Sequence, residues 1–517
     1  MSRPGFVLEV DERTPPVLIH RGEGFGVERF PLGTHVVYPP DSLPAVRDID
    51  AAIALALQHP HGTDPLRELL TPSTRLTVVI DDICTPAPSM RAPDIRQRVV
   101  EAVLEIAAEQ QVDDVELVAA NGLQRRMTAA ELRHLVGERV YGSFTPDRLH
   151  NHDAEDRANL VGIGATDAGH DVEINRRVAE SDLVVHVSVV TSAIAGNCRS
   201  LAARIASYAT VRDENAYATA HPGSDDAPAA DRLGVVLERQ VPIFVVEATL
   251  DHGDSARQLA FLGKREWEWS LRDQAAYVGV KRLNDLGPGR VRHRIWQHAQ
   301  ASYGVTAVCA GRPAEVRART LETLHRQQLT EVDGQSDVVV FGLPSASASS
   351  VNSIMNPILA MSLGLGVYFN SFRGRPLLRP GGALILYHPM QQQFHPVHHP
   401  SYIDFFEEVL AETTDPATIA SKYQDQFAGD EWYRHLYRNS YAFHGAHPFL
   451  MWYLGARALA HAGDIICVGA DRPTASRLGF RTASTLADAL EMASGKVGRS
   501  PSIAYLHGAP NTIADVR

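Results

Sequence analysis

Two carboxylates and a proline-rich turn follow an apolar run near residue 80. The run Val78 to Ile80 leads into Asp81 and Asp82, and Thr85 lies in the turn that follows. Continuous apolar runs are typical of strands that are buried on both faces. Because the carboxyl ends of such strands face the ligand crevice of an open α/β sheet, the two carboxylates are candidates for acid and base chemistry. The alternative is structural: they hold the turn or cap the helix that begins near Asp94.

A second apolar run ends in polar residues in the same way. Asn121 and Gly122 follow Val115 to Ala119, and Gln124 lies two residues further on. An amide and a glycine at a strand end suit contact with a ligand, and they also suit an ordinary turn. The sequence leaves both interpretations open.

The chain has 23 histidines in total, and two close groups of them lie in its second half. His395, His398 and His399 follow the apolar run Ala383 to Tyr387, and His444 and His447 lie among aromatic residues. Neutral imidazoles suit general base chemistry, substrate binding, metal ligation or plain structural hydrogen bonds. We expect the two blocks not to converge on a metal, and at least one histidine of the second block to face an interdomain cleft.

The elements that must position these residues alternate between strand and helix, which favours parallel α/β layers. A helix is predicted over Asp94 to Gln110, because apolar residues recur there at helical spacing. The predicted fold is α/β, with two domains of mainly parallel sheets flanked by helices and a cleft between them; the domains span 1–325 and 326–517. The predicted strands are Leu76 to Ile80, Val115 to Ala119, Leu183 to Val190, Ile243 to Val246, Asp337 to Phe341, Ala383 to Tyr387, Asp464 to Val468 and Ser502 to Leu506.

Composition narrows the function further. The chain has 517 residues, 44% of them apolar, so it can bury a sizeable hydrophobic core. Its formal charge of −12 disfavours binding to the negatively charged backbone of nucleic acid. Four dispersed cysteines, no apolar signal segment and no run long enough to span a membrane predict a cytoplasmic protein without a membrane partner. P-loop, dinucleotide, GxSxG and HExxH signatures are absent.

The motifs, taken in order, resemble the lactate racemase family, whose enzymes use a nickel-pincer nucleotide. Val78 to Ser89 is similar to the family's Asp-His-Thr-Arg-Pro-x-Pro signature, and His152 to Asp156 is similar to its His-Asp-x-Glu-Asp. Leu117 to Gly122, with Met127 to Leu132, is similar to its strand, Gly-Thr-His-Arg turn and helix. The resemblance implies two α/β domains around a cleft, in which hydride transfer to the cofactor racemises a 2-hydroxy acid.

The chain departs from the family at the positions that carry its chemistry. Thr85 stands at the arginine of the proline-rich signature, Gln124 at the histidine of Gly-Thr-His-Arg, and Arg199 at the lysine that bonds to the cofactor. Asn356 falls at a glutamine of the second domain. A guanidinium is a poor nucleophile, so Arg199 does not form the covalent link. The cofactor is therefore not identified by the sequence, and the intact protein is expected to have the mass of the encoded chain.

The sequence thus predicts an isomerase-class or related enzyme that acts on a small 2-hydroxy acid or sugar acid without the family's covalent attachment. The alternative is a catalytically silent homologue that binds a nucleotide or metabolite in the cleft. The expected partner is a small carboxylate or nucleotide-like ligand, and no metal ligands are assigned. Predicted catalytic residues are Asp81, Asp82, Gln124, His444 and His447, and predicted cofactor-binding residues are Thr85, Asn121, Gly122, Arg199 and Asn356. The cleft is expected to be lined by Asp81, Asn121 and Arg199 together with residues near Asn352 and Asn356.

Overall fold

The computed structural model describes most of the chain. The described residues are 3–192, 200–214, 229–287, 300–508 and 510–517, together with 289, 292, 293 and 296. Arg199, which was predicted to contact the cofactor, lies outside them.

The first sheet is built almost wholly from parallel strands. Within the described part of the chain it has six strands, in the spatial order Val305–Gly311, Ile243–Leu250, Leu183–Val190, Leu76–Asp81, Val115–Ala120 and Leu149–Asn151. The pair formed by the first two is antiparallel, and the other pairs are parallel. Polar residues that follow the central strands therefore gather at one edge of this sheet.

The second sheet is also mainly parallel. Its seven described strands are ordered Phe6–Glu9, His35–Tyr38, Ile503–Leu506, Ser336–Gly342, Leu378–Tyr387, Asp464–Val468 and Arg481–Ala483. The first pair is antiparallel and the remaining pairs are parallel. The predicted α/β class with mainly parallel sheets is confirmed.

Two strands from the first forty residues, Phe6–Glu9 and His35–Tyr38, join this second sheet. His35–Tyr38 pairs with Ile503–Leu506, nearly at the other end of the chain. The predicted division into 1–325 and 326–517 assigned these residues to the first domain, and their strand pairing differs from that assignment. Their apolar side chains Val36 and Tyr38 complete the core of the second sheet, alongside Val338 and Ile385.

Three smaller sheets complete the strand pairing. Leu329–Val332, Ile513–Val516 and Phe372–Gly374 form a parallel group of three. Two antiparallel hairpins are formed by Val17–Arg21 with Gly24–Glu28 and by Leu160–Ala165 with Asp171–Asn175.

Helices connect and cover the strands of both sheets. Up to residue 328 the described α-helices are Ile49–Gln58, Leu66–Leu69, Ile95–Glu109, Ala129–Phe144, Arg176–Ala179, Ser200–Ile205, Tyr208–Asp213, Ala229–Gln240, Leu271–Leu286 and Pro313–Gln328. After it they are Pro357–Met361, Pro400–Asp404, Leu410–Glu412, Pro416–Ile419, Asp425–Gly429, Glu431–Asn439, His447–Leu454, Ala456–His461, Arg472–Arg477 and Leu486–Val497. No helix among the described residues is long and apolar enough to cross a bilayer.

Helix Ile95–Glu109 shows how local sequence and packing agree. Asp94 caps its first turn by accepting the Arg96 N–H, so this cap comes from Asp94 and not from Asp81 or Asp82. Val99 and Val103 are fully buried against strand Leu76–Asp81 in one continuous core. Burying each such side chain stabilises the fold by about 1.5 to 3 kcal/mol.

Candidate functional site at the strand ends and the cleft

Asp81 lies at the last position of strand Leu76–Asp81 and is fully buried. Its carboxylate accepts a hydrogen bond of 2.8 Å from the Ser188 hydroxyl and contacts His186 Nε2 at 3.1 Å; both partners lie on the neighbouring strand. Burial alone would raise the pKa of Asp81, but the Arg204 charge and the His186 and Ser188 hydrogen bonds outweigh burial and lower it. Asp81 is therefore an ionised carboxylate at the strand end.

Asp82 is buried beside it and behaves differently. Arg204 Nη1 lies 3.2 Å from the Asp82 carboxylate and 3.7 Å from that of Asp81. Burial raises the pKa of Asp82 and the Asp81 charge adds to this, in spite of the Arg204 guanidinium. The pKa values of the two carboxyl groups are thus shifted in opposite directions, an arrangement that lets one group act as an acid and the other as a base.

The turn after these carboxylates is held by Arg96, a residue that the sequence did not single out. Its guanidinium is fully buried, pairs with Asp94 at 2.8 Å, and donates to the carbonyls of Asp81, Asp82 and Thr85 at 3.2, 2.5 and 2.6 Å. The carbonyl of Thr85, rather than its hydroxyl, is therefore its described polar contact. The only local signal was an arginine two residues after a capping aspartate, which is too common to be informative.

The turn Asn121–Gly122 contacts both halves of the molecule. Gly122 has a φ of +51°, its N–H donates to the Arg204 carbonyl at 2.9 Å, and its carbonyl accepts from the Tyr437 hydroxyl at 2.7 Å. The Asn121 side-chain oxygen is buried and has no hydrogen-bond partner among the described residues. An unpaired buried carbonyl oxygen is free to accept a hydrogen bond from a ligand.

Gln124 reaches across to the loop that follows strand Ser336–Gly342. Its amide nitrogen donates to the Ser349 hydroxyl at 3.0 Å, while its side-chain oxygen is buried without a partner in the described part of the chain. Next to Gln124, Arg125 forms a buried ion pair with Glu131. The Glu131 carboxylate also accepts a hydrogen bond of 2.8 Å from the side-chain amide of Asn352, on the same loop as Ser349. The loop that carries Ser349 and Asn352 therefore contacts the segment that follows strand Val115–Ala120.

His444 lies where the two halves meet. Its backbone N–H donates to the Leu123 carbonyl at 3.2 Å, and its ring contacts Glu155 at 3.0 Å and stacks on Tyr208 with centroids 4.8 Å apart. Glu155 and Tyr208 line a cavity of about 520 Å³ that also includes Arg434 from the second half. His444 therefore lies directly behind a cavity formed by both halves.

His447 is in a different position. It is fully buried, its Nδ1 lies 2.6 Å from the Tyr402 hydroxyl, and its Nε2 has no hydrogen-bond partner among the described residues. Burial lowers the pKa of His447 to about 3, and the nearby His444 contributes, so the ring is neutral at pH 7. Whether His444 and His447 contact a ligand stays a prediction.

The other histidine block forms a compact cluster after strand Leu378–Tyr387. The rings of His395 and His398 stack with centroids 3.7 Å apart, and His399 lies beside them. Asn356 caps helix Pro357–Met361 and points its amide nitrogen at His399 Nδ1, 3.3 Å away. Asn356 is thus a neighbour of the histidine cluster. Among the described residues, no group of three or more histidine, cysteine, aspartate or glutamate side chains is arranged to hold a metal ion.

The main cavity, of about 540 Å³, lies between the loops of the two halves. Its neutral hydrogen-bonding side chains outnumber its charged ones and include Ser89, Asn284, Gln300, Ser345, Ser347, Ser350, Asn352, Ser353, Gln391 and Gln393. Its charged or basic side chains include Arg21, Glu23, Glu131, Lys281 and Arg292. Such a lining suits a ligand with several hydroxyl groups and a limited charge.

Of the described residues that were predicted to line the cleft, Asn352 lies in the wall of this cavity, whereas Asp81, Asn121 and Asn356 do not. Ile83, between Asp82 and Thr85, also lines it, and Gln124 does not. Sequence reasoning missed Ser353, which lines it together with His388. The signal available for Ser353 was the serine-rich stretch after strand Ser336–Gly342, at a carboxyl end of the second sheet.

The fold and this cleft define an α/β protein with two mainly parallel sheets and a cavity between its halves. Comparisons with known proteins relate it to one family. Residues 25–226 match the lactate racemase N-terminal domain. The lactate racemase of Lactiplantibacillus plantarum is 28% identical over 160 residues, which are 30% of this chain and 36% of that protein. The lactate racemase of Thermoanaerobacterium thermosaccharolyticum is 27% identical over 132 residues, or 25% of this chain and 28% of that protein. Together these matches support membership of the chain in the lactate racemase family.

The likeness in fold extends further than the likeness in sequence. The structure of the lactate racemase apoprotein from Thermoanaerobacterium thermosaccharolyticum superposes with a TM-score of 0.62 at 14% identity, covering 97% of this chain and 100% of that one. The sequence matches to the two curated relatives span about a third of their length. The shared fold therefore covers 97% of this chain, whereas the family domain matches residues 25–226.

Proposed function

We propose that this protein is an isomerase-class enzyme that inverts a stereocentre of a small 2-hydroxy acid or sugar acid bound in the cleft. The observation that carries the proposal is the cavity of about 540 Å³, lined from both halves, in which neutral hydrogen-bonding side chains outnumber charged ones. Family membership supports the reaction class. Of the two substrate types, the sugar acid is favoured, because its several hydroxyls match the serine, asparagine and glutamine lining.

The residues present do not fit the covalent cofactor attachment of the family. The chain has four lysines, Lys264, Lys281, Lys422 and Lys496, and none precedes residue 264. Lys281 lines the cavity, but its ammonium group pairs with Asp285 at 2.8 Å. Together with Thr85 and Gln124 at matched positions, this supports an enzyme that does not carry the family's lysine-linked nickel-pincer nucleotide.

The strand-end groups have defined parts in this proposal. Asp81, as an ionised partner, and Asp82 hold Arg204 in place at the strand end, and burial raises the pKa of Asp82. Asn121 and Gln124 each keep one buried side-chain oxygen available at the junction of the halves. These groups orient the turns beside the ligand and keep water away from them.

The test is a stereochemical assay on the full chain purified from its own host. Single enantiomers of lactate, glycerate and gluconate are incubated with the protein, and formation of the opposite configuration at C2 is followed by chiral chromatography. We expect inversion of the sugar acid in preference to lactate. Binding of an acid without inversion would instead support the catalytically silent homologue.

Intact mass and nickel content are measured on the same sample. The expected mass is that of the encoded chain. An adduct of several hundred daltons on a lysine, together with nickel, would contradict the proposed loss of the covalent cofactor and restore the family's usual chemistry.

A further inference from the structure

We infer that the Ser353 hydroxyl is the group that exchanges a proton with a ligand hydroxyl in the main cavity, and that His398 and His399 hold and orient that proton. This inference rests on the proposed function for its substrate, but its geometry is independent of it. Ser353 lines the cavity and is only 1% exposed. A hydroxyl in that position is shielded from bulk water and lies at the wall of the cavity.

The fold brings this serine and the two histidines together at one sheet edge. Ser353 lies on the loop after strand Ser336–Gly342, and the histidines lie on the loop after strand Leu378–Tyr387. These strands are adjacent and parallel, so their carboxyl ends open on the same side. The Ser353 oxygen lies 2.8 Å from His398 Nδ1 and 3.3 Å from His399 Nε2.

The surrounding donors fix the direction of the hydrogen bond between His399 and Ser353, and the proposed relay continues from Ser353 to His398. His399 Nδ1 accepts the backbone N–H of His395 at 3.1 Å and faces the Asn356 amide nitrogen at 3.3 Å. The proton of the neutral His399 ring is therefore on Nε2, from which it is donated to the Ser353 oxygen. Ser353 then donates its own proton to His398 Nδ1, which leaves the His398 proton on Nε2. The result is a directed chain from His399 through Ser353 to His398.

Both imidazoles are neutral in the absence of a ligand. Burial lowers the pKa of His398 to about 3, with further lowering by Arg125 and His395 and an opposing contribution from Glu131. Burial likewise lowers the pKa of His399, and His398, His395, His447 and Arg125 add to that effect. A carboxylate ligand placed in the cavity brings a negative charge close to His398, which raises its pKa by about 1 to 3 units. The relay thus gains basicity when an acid ligand binds.

The proton transfer is simple to write. The ligand O–H bond breaks as its proton passes to Ser353 Oγ, and the Ser353 proton passes to His398 Nδ1; the reverse step returns both. Gln124, which stands at the family's histidine position, cannot do this because an amide does not titrate at physiological pH. Its amide contacts Ser349, four residues before Ser353 on the same loop. The acid–base function has accordingly moved from the first half of the chain to the second.

The first experiment is ¹⁵N NMR of the full chain labelled at histidine, with His398→Gln and His399→Gln spectra for assignment. In the free protein we expect the Nε2–H tautomer for both rings. With sodium gluconate as the probe, the His398 pKa is expected to rise by about 1 to 3 units in the wild type. An Nδ1–H tautomer for His398 would overturn the inference whether or not the protein inverts any hydroxy acid.

The second experiment measures steady-state inversion by Ser353→Ala and His398→Gln, with His435→Gln as the matched control. His435 is an exposed histidine on helix Glu431–Asn439, outside the cavity. We expect kcat to fall at least about 100-fold in the two relay variants with KM within threefold, and the control to be unchanged. Melting temperatures within a few degrees of the wild type show that the variants fold.

The outcomes separate the two proposals. Relay variants that keep kcat within threefold of the wild type would refute the relay while leaving the proposed isomerase intact. If the wild type inverts no hydroxy acid, the proposed function fails, and the tautomers in the free protein still decide whether the directed chain exists.

Discussion

Replacing Arg96 with methionine is the most informative perturbation of the strand-end turn. The substitution keeps the length of the side chain but removes the ion pair with Asp94 and the hydrogen bonds to the carbonyls of Asp81, Asp82 and Thr85. Both members of the ion pair are 0% exposed, so the change leaves a buried carboxylate unpaired. Breaking such a pair from one side costs about 3 to 5 kcal/mol.

Arg98→Met is the matched control on the same helix. Arg98 pairs with Asp50 at 2.6 Å, but the Asp50 side chain is 73% exposed. An exposed pair of this kind contributes at most about 1 kcal/mol. The two variants therefore differ in burial and not in residue type or helix.

The assay is equilibrium unfolding in urea, with the unfolding midpoint and slope compared between the variants. We expect Arg96→Met to lose several times more stability than Arg98→Met with little change in slope. In the double variant Asp94→Asn/Arg96→Met, part of the loss is recovered, because no unpaired charge remains in the core. Equal losses in the two single variants, or no recovery in the double variant, would refute the reasoning that the buried guanidinium holds the turn.

Three further predictions concern other buried groups. Tyr402→Phe removes the hydrogen bond to His447 Nδ1 and should cost about 1 to 3 kcal/mol in thermal or urea unfolding; no loss would mean that this nitrogen finds another donor. Burial alone would raise the pKa of Glu131, but its hydrogen bond with Arg125 and the Arg125 charge outweigh burial and lower it to about 2. The wild type should therefore lose roughly 3 kcal/mol between about pH 5 and pH 2, and Glu131→Gln should flatten that profile. Burial raises the pKa of Glu247, whose oxygens have no hydrogen-bond partner in the part of the chain that the structure describes. Glu247→Gln should therefore raise the melting temperature more at pH 8 than at pH 5, and an equal effect at both would show that the carboxyl group is ionised in the fold.

Much of the strand framework could be read directly from the chain. All eight predicted strands are present, with Leu183–Val190 and Asp464–Val468 at the predicted bounds. Helix Ile95–Glu109 lies one residue inside its predicted limits at each end. These elements are predictable because each leaves a pattern within a few consecutive residues. A strand buried on both faces requires a continuous apolar run, and a helix buried on one face requires apolar residues at helical spacing.

The candidate site was only partly predictable. The strand-end carboxylates and the Asn121–Gly122 turn lie at the sheet edge where the pattern placed them, because parallel strands share the direction of their carboxyl ends. Which of these side chains reach the cavity was not predictable. Gln124 meets Ser349 across 225 residues of sequence, and such distant pairing leaves no local pattern.

The sequence by itself therefore determined the α/β class, the positions of the main strands along the chain and the polar residues at their ends. Only the tertiary structure decided that residues 35–38 join the second sheet, that Arg96 holds the carboxylate turn, and that Ser353 lies between two imidazoles at the cavity. The physical reason is that hydrophobic periodicity and turn chemistry act over a few neighbouring residues. Strand partners, buried ion pairs and cavity walls are chosen by the free energy of packing segments that are far apart in the chain.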